Sequence, residues 1–311
     1  MIFFRKPKVG QILGILGICF ILTIFVLPTF SQANKKSQTK SVQSNFPLIL
    51  RGGEVQVVIR NETSEKDWNQ YAFEKTKGLL DAYESFIGVS FHQAAAPIYK
   101  SLPEPEKNKV KLILKEAVFL NGTRIGGYNN VSGDLGKDLG IFMEPGIVPR
   151  GYPALLLHEL GHFYFTEPSW LSEGIVSFLP YLLTKKGTLK LDSEELSAVM
   201  DEWSLEEARP PKDLPLSQDF RTLDPSLGLW FYSKAVRTQM ILYKELGNAG
   251  YKSFLKQVTL AETLNTEGVF KILNKIQKKN WDHILQGWVL AGPYAVYPVN
   301  SFLQLKEIDK L

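Results

Sequence analysis

His158-Glu159-Leu160-Gly161-His162, followed by Trp170-Leu171-Ser172-Glu173-Gly174, is the stretch on which the reading of this chain turns. On a helix, residues four apart share a face, so His158 and His162 can reach one metal ion together. Glu159 projects beside them, where a carboxylate can hold and deprotonate a metal-activated water. The apolar run at 154–157 immediately before the pentapeptide predicts a buried helix that holds these side chains rigidly. Without a metal, the same residues read as two satisfied helical histidines facing a carboxylate. The chain has four histidines in 311 residues, so finding two of them in one such motif favours the metal.

A hydrolytic zinc site has three protein ligands and an open position. An extended all-histidine pattern needs glycine at 165 and histidine at 168, and those positions hold Phe165 and Pro168. His92 and His283 lie in no motif and read as structural or surface residues. A glutamate ligand is then needed. Glu167 sits in a turn just before Pro168, while Glu173 stands at the start of the next helix, eleven residues after His162. A short helix–loop–helix hairpin can swing Glu173 back onto the same ion, which makes it the candidate third ligand. Its competing role is that of an acidic residue favoured by the helix macrodipole.

Outward from this motif, the order of elements follows from periodicity. Residues 54–60 alternate polar and apolar as a strand, and a helical pattern runs from Ser64 to Ile87 before Gly88. A second strand is expected over 110–120, a glycine-rich loop over 121–140 and a short strand over 141–145. Helices are expected over 154–165, 171–183, 231–246 (stopped by Gly247), 251–258, 267–276 and 281–290, the last capped by Asn280. Strands first and helices afterwards argue for an α+β fold.

Residues 9–27 form nineteen positions with only Gln11 and Thr23 appreciably polar, preceded by Arg5, Lys6 and Lys8. Such a helix reaches about 28 Å, close to the bilayer hydrocarbon thickness. Residues 1–30 therefore read as a signal anchor or signal peptide, with Ser31-Gln32-Ala33 as a small-x-small cleavage site. Residues 31–46 read as a flexible polar tether, and 47–311 as the folded domain. The expected location is the cell membrane, single-pass with an extracytoplasmic catalytic domain, or secretion if cleaved near Ala33.

The formal charge of +4 is unevenly placed: seven basic and no acidic residues precede Glu54, leaving 29 basic against 32 acidic beyond it. A body with that balance has no broad footprint for nucleic acid. The single cysteine, Cys19, excludes disulfides within the chain and cysteine-based zinc modules.

HELGH with a downstream WLSEG resembles the zincin metallopeptidases of the gluzincin type, in particular the peptidase MA-like domains. VKLILKEA, RIGGYNN, GIFMEP and LLLHELGH stand in that family's order, and the later helices FYSKAVRTQMILYKELG, YKSFLKQV and WDHILQGWV resemble its C-terminal part. The resemblance covers roughly residues 54–290. It implies a small N-terminal mixed sheet with an edge strand, an active-site helix and a mainly helical C-terminal part. It also implies one Zn2+ per chain on His158, His162 and Glu173, with Glu159 as general base. Only ten residues separate His162 from Glu173, fewer than in the best-known gluzincins.

The same likeness places a tyrosine at the head of the 231–246 helix, so Tyr232 is the candidate oxyanion donor, with Tyr128 and Tyr164 as rivals. The strand at 141–145 is expected to be the sheet edge where an extended peptide adds, with Gly126 and Gly127 allowing close approach. The implied partner is a peptide or protein substrate, with membrane association through the N-terminal helix if it stays uncleaved. Two other readings share the motif: an exported domain with a structural, non-proteolytic zinc site, and a zinc amide hydrolase acting on cell-wall material.

Overall fold

The computed structural model describes residues 41–64, 67–120, 122–131, 133, 138–144, 152–201, 214–218 and 227–291. The apolar run at 9–27, its basic flank and the tether up to residue 40 lie outside these residues. Among the described residues, no helix is long and apolar enough to cross a membrane.

The first strand, β1 (Val42–Leu50), pairs antiparallel with β2 (Gly53–Asn61), in register from Val42 opposite Asn61 to Leu50 opposite Gly53. Strand β1 thus starts before Pro47, inside the stretch read as tether. Burial in β1 alternates from Gln43 to Leu50, but its inward residues begin with Ser44 and its outward ones end with Ile49, which blurs the apolar pattern. Phe46, at the end of that stretch, stacks on Phe73 at 4.5 Å. In β2 the alternation is sharp, with Val55, Val57 and Ile59 fully buried.

Helices α1 (Trp68–Ile87) and α2 (Phe91–Lys100) come next, and β3 (Lys109–Leu114) then runs parallel to β2. A parallel pair cannot be closed by a tight turn and needs a crossover, which these two helices provide. The strands-then-helices order is corrected to that extent. Helix α2 carries a signal that the apolar pattern hid: Ser90 and Gln93 form a reciprocal capping box ahead of Pro97.

The single strand expected over 110–120 is two strands. After β3 the chain leaves the main sheet to form a small hairpin, β4 (Val118–Leu120) with β5 (Thr123–Ile125). The glycine-rich loop supplies β5 and a further strand, β6 (Gly127–Asn130), which pairs antiparallel with β7 (Gly140–Met143). The main sheet runs β1-β2-β3-β7-β6. The strand expected to be the edge, β7, is therefore interior, parallel to β3 on one side and paired with β6 on the other; β6 is the edge. The hairpin contributes Val118, Leu120 and Ile125 to a small cluster with Ile113 and Phe142, apart from the main core. It is tied down by Arg124 Nε donating to Glu144 Oε2 at 3.1 Å.

The remaining helices are α3 (Tyr152–Gly161), α4 (Ser169–Lys185), α5 (Ser193–Asp201), α6 (Gly228–Thr259), α7 (Thr266–Ile276) and α8 (Trp281–Ile284). Helix α6 joins the two helices expected at 231–246 and 251–258 across a break at Gly247, whose φ of 66° is left-handed. The helix expected over 281–290 stops at Ile284, although Asn280 does cap it by accepting from the His283 N–H at 3.2 Å.

Helix α4 organises the helical layer. Every residue from Ser169 to Leu183 is buried, as expected of a helix apolar on all sides. It packs against α1, α3, α5 and α6. It runs tight against α6 at Gly174, where an added Cβ would lie 2.5 Å from the Ala235 carbonyl oxygen. Glycine to alanine inside a helix ordinarily gains about 1 kcal/mol. Gly174→Ala is expected instead to lower the unfolding free energy by about 2 kcal/mol, because backbone must shift to admit the methyl group. Denaturant unfolding of the two proteins measures the sign, and an unchanged or raised midpoint would contradict this packing.

Candidate metal centre

His158 and Glu159 lie in the last turns of α3, and His162 follows on the turn that leaves it. Glu173 sits in the first turns of α4. Two glycines let these segments meet. A Cβ on Gly161 would stand 2.6 Å from Val176 Cγ1 of α4, and the one on Gly174 would meet α6. With hydrogen at both positions the helices close to contact, which brings Glu173 onto the two histidines.

His158 Nε2 is 3.1 Å from Glu173 Oε2, and His162 Nε2 is 3.6 Å from the same oxygen. One ligand atom from each of the three residues lies within 4.8 Å of the other two. Ligands on a tetrahedral zinc with bonds near 2.0–2.1 Å stand about 3.3 Å apart, so the donor spacing suits such an ion. The relative exposures are 3% for His158, 8% for His162, 1% for Glu173 and 0% for Glu159.

The inner nitrogens of the imidazoles are also held. His162 Nδ1 is 3.1 Å from the Phe165 carbonyl oxygen and 3.0 Å from Ser172 Oγ, while Ser172 donates to the Phe165 carbonyl at 2.8 Å. A carbonyl only accepts, so His162 carries its proton on Nδ1 and presents a bare Nε2 towards Glu173. His158 Nδ1 lies 3.0 Å from Ser177 Oγ. Burial pushes the His162 pKa below its ordinary 6.5, against the opposing pull of Glu173 and with the help of His158. The ring is thus kept neutral, the form that ligates a metal.

Of the three candidate tyrosines, Tyr232 lies at this cluster: its buried ring is 6.2 Å from that of His158, at 65°. Tyr128 stacks on Phe142 at 4.7 Å beside the hairpin cluster, and Tyr164 packs edge-on against Tyr83 at 5.1 Å within the core. Glu167 borders a groove with Pro97 and Leu264 and is not in the three-residue cluster. His92 lies against the Glu54 carbonyl at 3.3 Å, and His283 is exposed on α8. Gly126 and Gly127 pack against Leu155 of α3, so their lack of side chains serves strand-to-helix packing within the chain. Sequence reasoning passed over Ser177, although it is four residues from Glu173 and so on the same face of α4. It also passed over Asn129, whose Nδ2 donates to the Glu159 carbonyl at 3.0 Å.

No family model matches the chain, and no curated protein matches it. Solved structures do. A mutant M1 zinc metallopeptidase from Deinococcus radiodurans, bound to a Tyr-Ser-Ala substrate, superposes with a TM-score of 0.51 at 15% identity, over 82% of this chain and 53% of that one. A second structure of that mutant gives 0.53 at 14% identity, with the same coverages. Aminopeptidase A of Legionella pneumophila, in complex with aspartic acid, gives 0.52 at 12% identity over 81% of this chain and 28% of that one. This chain spans about half the length of the first of these and less of the last. At such identities the likeness is one of fold: an α+β architecture of mixed sheet and helices similar to that of these M1 peptidases.

Two outcomes follow from the inner hydrogen bonds and from burial. Ser172→Ala and Ser177→Ala are each expected to weaken binding of a divalent transition metal about 10–100-fold, read by chelator competition. The metal-free protein is expected to lose stability as pH falls below 6.5, because the unfolded chain then takes up a proton on His162 that the folded one resists. Unfolding free energies across pH 5–8 check the sign, and a flat profile would contradict it.

Proposed function

We propose that the chain is a zinc-dependent peptidase with one Zn2+ held by His158, His162 and Glu173, displayed outside the cytoplasm on its N-terminal anchor or released by cleavage near Ala33. The observation that carries this reading is the convergence of three buried donors beside a buried glutamate on the same helix turn. When bound, zinc supplies a Lewis acid that acidifies water and polarises the scissile carbonyl.

The residues divide the remaining work. Glu159 takes the proton of the attacking water and returns it to the leaving amine, so the carboxylate ends the cycle as it began. The Tyr232 hydroxyl donates a hydrogen bond to the oxyanion that develops as the carbonyl is attacked. The edge strand β6 offers its outer backbone to an extended peptide, which would add as a further strand. A purely structural zinc site has no use for Glu159 and ordinarily closes the ion with four ligands, often cysteines.

Metal content of the full chain is expected to be about one zinc, lost in His158→Ala and Glu173→Ala. Glu159→Gln should keep the zinc and lose about 10²–10⁴-fold in turnover of a mixed quenched-peptide library. A folded wild-type chain that takes up no zinc would sink the enzyme reading. Retained turnover in Glu159→Gln would remove Glu159 from the mechanism.

A further inference from the structure

Helix α3 ends abnormally close to its functional residues. In an unbroken α-helix the Phe163 N–H would donate to the Glu159 carbonyl; here it donates to Leu160 at 3.2 Å, and the next two amides go to Gly161. The Glu159 carbonyl is instead taken by a side chain from the sheet: Asn129 Nδ2 donates to it at 3.0 Å. The other end of the same amide is also engaged, for Asn129 Oδ1 accepts the Val131 N–H at 2.9 Å. A donor on one side and an acceptor on the other fix which way the amide faces.

A second contact repeats the first one step back. Gly127 is two residues before Asn129 and so on the same face of β6; Leu155 is four before Glu159 and so on the same face of α3. A Cβ on Gly127 would stand 3.1 Å from Leu155 Cδ2 and 2.5 Å from the Phe142 carbonyl of β7. Two strand residues advance about 6.7 Å and four helical residues about 6 Å, so the two contacts stay in step. The edge strand is therefore held to the active-site helix at two points, and one of them is the backbone of Glu159 itself.

We infer that Asn129 is a positioning residue that locks the peptide-accepting edge of the sheet to the backbone of the general base. Its part in catalysis rests on the peptidase reading; the lock itself does not. Asn129 sets how far the β6 rail stands from the Glu159 carboxylate, and hence where a substrate carbonyl lies when its chain is paired to that rail. A displacement of about 1 Å at this distance is enough to cost on the order of 100-fold in rate.

The test uses the full zinc-loaded chain with Asn129→Asp, which keeps the shape but removes the donor, and Asn129→Ala, which removes both. Amide exchange over residues 126–131 is expected to quicken at least tenfold in both variants, with zinc affinity and exchange in α4 unchanged. Unchanged exchange would overturn the lock whether or not any peptide is cleaved. Turnover of the quenched-peptide library should fall mainly in kcat, by about 10–100-fold, with the pH profile of Asn129→Ala unmoved. Quickened exchange with wild-type kcat would overturn the catalytic role and keep the lock. A wild-type chain with zinc but no turnover would count against the peptidase reading alone, and the exchange result would still decide the lock.

Discussion

A carboxylate withdrawn from water next to two imidazoles is the constraint on which the helical layer depends. Burying such a group unpaired costs several kcal/mol, and the strongest compensation is a cation at contact distance. A protonated histidine could supply it, but burial works against a second proton on His162. A divalent ion held by His158, His162 and Glu173 would resolve the conflict without charging either ring. Ser172, Ser177 and the Phe165 carbonyl take the inner nitrogens, and the outer ones both face Glu173 Oε2.

What permits the cluster is the absence of two side chains. Gly161 and Gly174 bring α3, α4 and α6 closer than any Cβ would tolerate. The buried helix α4 then delivers Glu173 into a layer rich in leucine, isoleucine and aromatic rings. The sheet serves this assembly from the other side. Its strand β7 lies between β3 and β6, and β6 reaches α3 through Asn129.

Much of this was legible in the sequence, and the reasons differ by element. The spacing of His158 and His162 is a helical period, so the face they share follows from geometry alone. Glu173 was legible because HELGH and WLSEG stand a short hairpin apart, with a carboxylate at the second helix's start. The sharp alternation in β2 likewise announced a half-buried strand. The outer strands were not legible. In β1 a serine faces inward and an isoleucine outward, and β6 is built from glycine, tyrosine and asparagine, which composition assigns to a loop. Its strand character comes from pairing with β7, a long-range contact that no local pattern encodes. Because β6 was unseen, the edge was assigned one strand too far inward. Asn129 was missed for the same reason: its partner is a main-chain carbonyl, which leaves no trace in residue type.

Helix α4 carries Glu173 and the hydroxyl partners of both histidines, on residues 172, 173 and 177, while its opposite faces close the core. Whatever holds the site together therefore also holds the central helix in place. An ion that binds only the folded chain stabilises it by mass action, about 4 kcal/mol at a free concentration a thousand times its dissociation constant. With zinc held as proposed, the lifetime of the folded protein would be a function of metal supply. A site that works only with its metal would then also be a site through which metal supply sets how long the folded chain escapes proteolysis.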